Sequence, residues 1–158
     1  MALTPDQTAR YARHIVLREI GGAGQNSLLR AKVAIIGAGG LGGPAGLYLA
    51  AAGIGEITLI DDDIVELSNL QRQIQFSDDD LDKDKSQAMA QTLAARAPHT
   101  KITPQQVRLT SENAMTILNG HDVILDGTDN FATRLGICLL YTSPSPRDAT
   151  LSRMPSSA

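Results

Sequence analysis

Residues 35–42 read Ile35-Ile36-Gly37-Ala38-Gly39-Gly40-Leu41-Gly42, and they decide the fold. The glycines form G-x-G-x-x-G between an apolar strand-like run and a helix-like run over residues 41–52 made mainly of Ala, Gly and Leu. Gly37 lets the chain turn tightly, Gly39 lets a phosphate approach the backbone, and Gly42 lets the helix pack against the strand. Free amides, with Gly40 among them, and the helix dipole then favour an anion at this turn. The alternative is a tight turn in a glycine-rich chain, and the matching strand before and helix after weigh against it.

Working outward, the first strand is Lys32–Ile36 and the second covers residues 56–61, ending on Asp61, nineteen positions after Gly42. An acid at that distance takes the ribose hydroxyls of a bound nucleotide. The alternative is a solvated turn acid, since Asp62 and Asp63 follow. A third strand lies within residues 101–109, where Pro104 marks a sheet edge. The fourth covers residues 122–126. At the start, Thr4, Pro5 and Gln7 spell a capped helix that runs to His14 or Arg18. Gly21-Gly22-Ala23-Gly24 is expected to break it, and a short helix follows over residues 25–30. Residues 62–82 form a mostly polar connection with one helical turn near residues 68–72. A helix over residues 83–97 stops at Pro98, and Ser111 is placed to cap another that ends at Asn119-Gly120. Strands and helices alternate, which predicts an α/β, Rossmann-like, mainly parallel sheet with helices on both faces, truncated after the fourth strand.

In a doubly wound sheet of order 3-2-1-4, ligands bind where strands 1 and 4 part. Residues 126–130 should therefore face the glycine loop across a nucleotide. Asp129 is a candidate magnesium ligand there, because a carboxylate beside a polyphosphate needs a divalent cation between them. The alternative is that Asp129 or Thr128 caps the next helix. Asn69 and Arg72, at i and i+3, share a face of one turn, and the arginine fork suits phosphate oxygens. Lys85 stands at a helix start, where the dipole disfavours a cation unless an anion is near. Lys85, and likewise Arg10 and Arg13 on one face of the first helix, could equally be solvated surface cations. His14, His99 and His121 lack metal-ligand spacing and read as surface residues.

Composition narrows the classes. The chain has 158 residues, 42% of them hydrophobic, 20% charged and 3% aromatic, with a net charge of −3. That is one soluble domain with a core of Leu, Ile, Val and Ala. The negative balance, without a basic stripe, argues against nucleic acid as a partner. The lone Cys138 excludes an internal disulfide and a thiolate metal cluster. No apolar run could form a membrane span and no signal-peptide pattern opens the chain, so the expected location is cytoplasmic.

Six segments together resemble the MoeB/ThiF/HesA family of adenylyltransferases, relatives of the ubiquitin-activating enzymes, and the MoeB type most of all. They are R-Y-A-R-H-I at residues 10–15, G-A-G-G-L-G at residues 37–42, D-D-D at residues 61–63, S-N-L-Q-R-Q at residues 68–73, Lys85, and D-G-T-D-N-F-A-T-R at residues 126–134. The resemblance implies an enzyme that binds ATP and Mg2+. It adenylates the C-terminal glycine carboxylate of a small ubiquitin-like sulfur-carrier protein of the MoaD or ThiS kind, releasing pyrophosphate. It implies a homodimer. It further implies that Asp61 holds the ribose, that Asn69, Arg72 and Lys85 meet the triphosphate, that Asp129 is the magnesium-site acid, and that Arg13 reaches the partner subunit's active site.

The pattern departs from the family near Gly136. Family members continue with more strands, and many carry two C-x-x-C pairs for structural zinc, so zinc would belong to a longer parent. Residues 1–136 are expected to be the nucleotide-binding part. Residues 137–158 are expected to be a disordered, non-family tail rich in Pro, Ser and Arg that resembles translated adapter sequence. The polypeptide as written is expected to be inactive. Two other readings remain: an NAD-dependent oxidoreductase, which leaves Asn69, Arg72, Lys85 and Asp129 without a task, and a non-catalytic binding module.

Overall fold

The computed structural model describes residues 2–128. Four parallel strands, β1 (Lys32–Ile36), β2 (Glu56–Ile60), β3 (Lys101–Gln105) and β4 (Val123–Asp126), lie in the order β3-β2-β1-β4. β1 runs beside β2 with Ile35 opposite Leu59, and beside β4 with Ile36 opposite Asp126. Pro104 pairs with Leu59 from the edge strand β3, where its missing donor costs no ladder bond on the open side. The α/β, Rossmann-like sheet expected from the alternation of elements is what forms.

Alternate residues of the strands feed two cores, because successive side chains point to opposite faces. Val33, Ile35, Ile57 and Leu59 pack with Ala50 of α4 (Gly42–Ala52) and with Met89 and Leu93 of α5 (Lys85–Arg96). Ala34, Ile36 and Ile60 pack with Ala114 and Leu118 of α6 (Ala114–Leu118) on the other face. Each fully buried Ile or Leu contributes about 1.5–3 kcal/mol.

The N-terminal segment differs from its sequence reading. Thr4 and Gln7 do form a capping box, on α1 (Pro5–Arg10), but the helix breaks at Tyr11 before α2 (Ala12–Ile15). Tyr11 is buried, with its ring against Gly53 and between His14 and His99, and that burial dictates the local path. The residues Gly21-Gly22-Ala23-Gly24, expected to break a helix, instead open α3 (Gly21–Leu28). Tertiary contact outweighs glycine's poor propensity here: Gln25 is fully buried and donates from Nε2 to the Ala52 carbonyl at 2.9 Å.

Ser111 does not cap α6. Asn113 precedes that helix, and its Oδ1 accepts from the Thr110 amide at 2.8 Å. The histidines are half-buried and bonded rather than loose on the surface. His14 meets Gln25 at 2.8 Å, His99 meets Asp6 at 2.7 Å, and His121 meets Thr58 at 2.8 Å. Among the described residues, no helix is long and apolar enough to cross a membrane. Asp129, the segment through Arg134, Cys138 and everything expected of residues 137–158 lie outside the described residues.

Candidate functional site

The C-terminal ends of the strands open into a cleft of about 710 Å³. Its wall begins with the turn after β1. Gly37 adopts φ +87°, a conformation that only glycine takes freely, and its amide donates to the Ile60 carbonyl at 2.8 Å. Gly127, after β4, donates to the Ile36 carbonyl at 2.8 Å. A β-carbon on Gly37 would stand 3.1 Å from the Gly127 carbonyl carbon, so the turns after β1 and β4 touch. Gly42 is buried beneath them, and any side chain there would collide with the Gly37 carbonyl oxygen. That contact gives Gly42 the packing role expected of the third glycine.

The backbone amides of Gly39, Gly40, Leu41 and Gly42 have no hydrogen-bond partner among the described residues. Gly39, Gly40 and Leu41 line the cleft directly. Four consecutive free donors at the start of α4 form a cradle for an anion.

The long connection after β2 supplies the charged wall. It is more ordered and more buried than a polar linker: Val65, Asn69, Gln73, Gln75 and Phe76 are all buried. Asp61 directly follows β2, one residue beyond the observed strand end, and its carboxylate is engaged with the loop. Oδ2 accepts from the Ala38 amide at 2.6 Å and Oδ1 from the Asp63 amide at 2.8 Å. Burial raises its pKa above the ordinary aspartate value, against the opposing pull of those two amides and of Lys85. Asn69 lies in the 3-10 turn Leu67–Asn69, and its Oδ1 accepts from the Glu66 amide at 3.1 Å. Arg72 is exposed and donates from Nη1 to the Ser68 carbonyl at 3.0 Å. Its methylenes pass about 4.0 Å from where a β-carbon on Gly40 would stand, which brings the side chain beside Gly40.

Lys85 is buried, contrary to the surface alternative, and Nζ donates to Asp63 Oδ2 at 3.0 Å. The helix of Lys85–Arg96 thus starts with a cation held inside the cleft wall. Gly37, Gly39, Gly40, Asp61, Asn69, Arg72 and Lys85 all line this one cleft. Arg13 does not; it is exposed on α2. Asp129 lies outside the described residues, next to Thr128, which does line the cleft.

Three contributors were not singled out from sequence. Arg108 follows β3 and pairs through Nε with Asp62 Oδ2 at 2.9 Å on the rim. Gln73 is buried in the wall, with Nε2 3.7 Å from a β-carbon placed on Gly39 and with Oε1 unpartnered. Gln75 lies just behind the loop and donates from Nε2 to the carbonyls of Ala38 and Gly39. Nothing in the run Gln71-Arg72-Gln73-Ile74-Gln75 separates these glutamines from the exposed Gln71; only burial does.

Carboxylate oxygens of Asp61, Asp62 and Asp63 come within 4.8 Å of one another, and oxygen donors are what magnesium takes. Each of the three is already engaged, by backbone amides, Arg108 and Lys85 respectively. As a set they fit a metal ion poorly without rearrangement.

Comparison with known proteins agrees with this geometry. The sulfur carrier protein ThiS adenylyltransferase of Escherichia coli is 49% identical over 138 residues, which cover 85% of this chain and 55% of that protein. The SAMP-activating enzyme E1 of Haloferax volcanii is 43% identical over 134 residues, covering 85% of this chain and 50% of the enzyme. The chain thus spans about half the length of these curated relatives. The crystal structure of E. coli tRNA N6-threonylcarbamoyladenosine dehydratase, TcdA, in complex with ATP aligns with a TM-score of 0.81 at 26% identity. It covers 91% of this chain and 60% of that one. The ThiF family profile matches residues 11–141, so the chain, with its glycine loop, engaged aspartate and buried lysine, belongs to the ThiF family.

Proposed function

We propose that this chain is the nucleotide-binding part of an ATP- and magnesium-dependent adenylyltransferase. Its acceptor is the C-terminal glycine carboxylate of a small ubiquitin-like sulfur-carrier protein of the ThiS or MoaD kind. The observation that carries the reading is the run of free amides at Gly39–Gly42, three of them on residues that line a cleft also holding Lys85 and Arg72. A dinucleotide needs the glycine turn and an acid such as Asp61; it does not need two further cations beside the turn. The named activity of the E. coli ThiS adenylyltransferase and the ATP in the TcdA complex support the same choice.

In the proposed reaction an oxygen of the carrier carboxylate attacks the α-phosphorus of ATP. The bond from that phosphorus to the bridging oxygen breaks, and its electron pair leaves on pyrophosphate. The carrier supplies the nucleophile, so the cleft requires no catalytic Ser or Cys. The Gly39–Gly42 amides bind phosphate oxygens, and Arg72 and Lys85 offset negative charge as it builds on the leaving group. Asp61 accepts from the ribose hydroxyls through the lone pairs its amide bonds leave free. A magnesium ion, which Asp129 would hold, would supply further screening between the anions.

Arg13 completes the proposal from a second copy of the chain. Its exposure on α2, away from its own cleft, suits a residue that serves the partner of a homodimer. The test is made on a full-length version. Mg-ATP should raise the unfolding temperature more than NAD does, and a ThiS-like carrier should support ATP–pyrophosphate exchange. Stabilisation by NAD alone, or ATP binding without exchange, would replace the adenylyltransferase reading with an oxidoreductase or a plain binding module.

A further inference from the structure

The geometry points to Gln75 as a positioning residue that sets the orientation of the glycine loop, an inference that rests on the nucleotide reading above. Its side chain is 3% exposed. Nε2 donates to the Ala38 carbonyl at 2.6 Å and to the Gly39 carbonyl at 3.2 Å. With two carbonyl oxygens in front of it, only the NH2 end of the amide can face them, which settles the orientation of the group. The Gln75 backbone is tied in turn to α5, because Thr92 Oγ1 donates to its carbonyl at 2.9 Å. Room for the side chain comes from Gly43, where any β-carbon would collide with the Gln75 amide.

The two loop carbonyls differ in what else holds them. Gly39 also accepts from the Gly43 amide at 2.9 Å, whereas the Ala38 carbonyl has Gln75 as its hydrogen-bond donor among the described residues. In a trans peptide the C=O and the next N–H point to opposite sides. By holding the Ala38 oxygen on the helix side, Gln75 turns the Gly39 amide the other way, toward the cleft that Gly39 lines. Without that donor the Ala38–Gly39 peptide can rotate, and Gly39 has no side chain to resist it. The rotated peptide would aim a carbonyl oxygen at the phosphates and withdraw one of the four donors. Gln75 therefore acts on phosphate binding without touching the phosphate. Its unpartnered Oε1 is the cost of this arrangement: a buried acceptor is left unsatisfied while the donor end is used.

The test compares ATP with adenosine as probes, by calorimetry, in the full-length version and its Gln75→Met and Gln75→Glu variants. Met fills similar volume and donates nothing. We expect Gln75→Met to weaken ATP by about tenfold, the equivalent of one lost charge-assisted hydrogen bond, and adenosine by less than about twofold. Gln75→Glu should behave alike when ionised and regain ATP affinity as the pH falls through its titration, because the protonated acid again donates to a carbonyl. Equal losses for ATP and adenosine, no loss of either, or an absent pH-dependent recovery overturns the positioning role. Failure of both variants to unfold cooperatively also overturns it, by assigning Gln75 to the core alone. If the unsubstituted protein binds adenosine or NAD but not ATP, the nucleotide reading itself fails, a result distinct from all of these.

Discussion

Asp61 Oδ2 accepts a hydrogen bond of 2.6 Å from the amide of Ala38, so the acid that directly follows β2 is bonded to the glycine turn that follows β1. The two halves of the nucleotide cleft are thereby set relative to each other before any ligand arrives. The acid and the loop act as one unit, and several consequences can be measured.

The first concerns pH. Burial raises the Asp61 pKa, so the native state binds this proton more tightly than the unfolded chain does. The stability from this group is fully present below the unfolded value and is lost as pH rises through the native one. Asp61→Asn keeps an acceptor for Ala38 and removes the titration. Urea midpoints measured from about pH 3 to pH 7 should show the variant gaining on the native protein as pH rises. A difference that stays constant across that range would mean Asp61 titrates as it does in the unfolded chain.

Lys85→Met separates binding from folding. The stem of Lys85 is buried and methionine can replace it, while the freed Asp63 is exposed and stays hydrated. Stability should change by less than about 1 kcal/mol, the scale of an ion pair with one exposed partner. ATP affinity should fall by about tenfold to a hundredfold, the loss of a charged hydrogen bond to phosphate. Calorimetric titration and thermal unfolding on the same sample check both halves.

Arg72 is exposed, so Arg72→Ala should alter stability by no more than about 0.5 kcal/mol. Its effect should appear in ATP–pyrophosphate exchange, with kcat reduced by about a hundredfold. Arg72→Lys should recover little of this, since an ammonium does not reproduce the planar fork. Full rescue by lysine would show that only the charge matters.

The loop glycines should part company. A β-carbon on Gly39 would meet Gln73 Nε2 at an ordinary 3.7 Å, so Gly39→Ala should fold and lose nucleotide affinity as the methyl group enters the cleft. At Gly42 the same atom would strike the backbone oxygen of Gly37, and Gly42→Ala should cost about 2 kcal/mol or more of stability. Chemical denaturation of the two variants side by side distinguishes them.

The sequence alone determined the order of strands and helices, the glycine turn and the acid that directly follows β2. Those features are local: they rest on residue periodicity and short spacings, which survive in a linear string. It misread Gly21–Gly24 and the stretch around Tyr11, because there helix propensity gave way to the burial of Gln25 and of the Tyr11 ring against distant residues. Only the tertiary structure decided that Lys85 is buried against Asp63, that Arg108 closes onto Asp62, and that Gln75, unlike Gln71, stands behind the loop. Each of these joins positions at least 22 residues apart. A hydrogen bond or ion pair of that kind depends on how the helices seat on the sheet, and residue type carries no record of it.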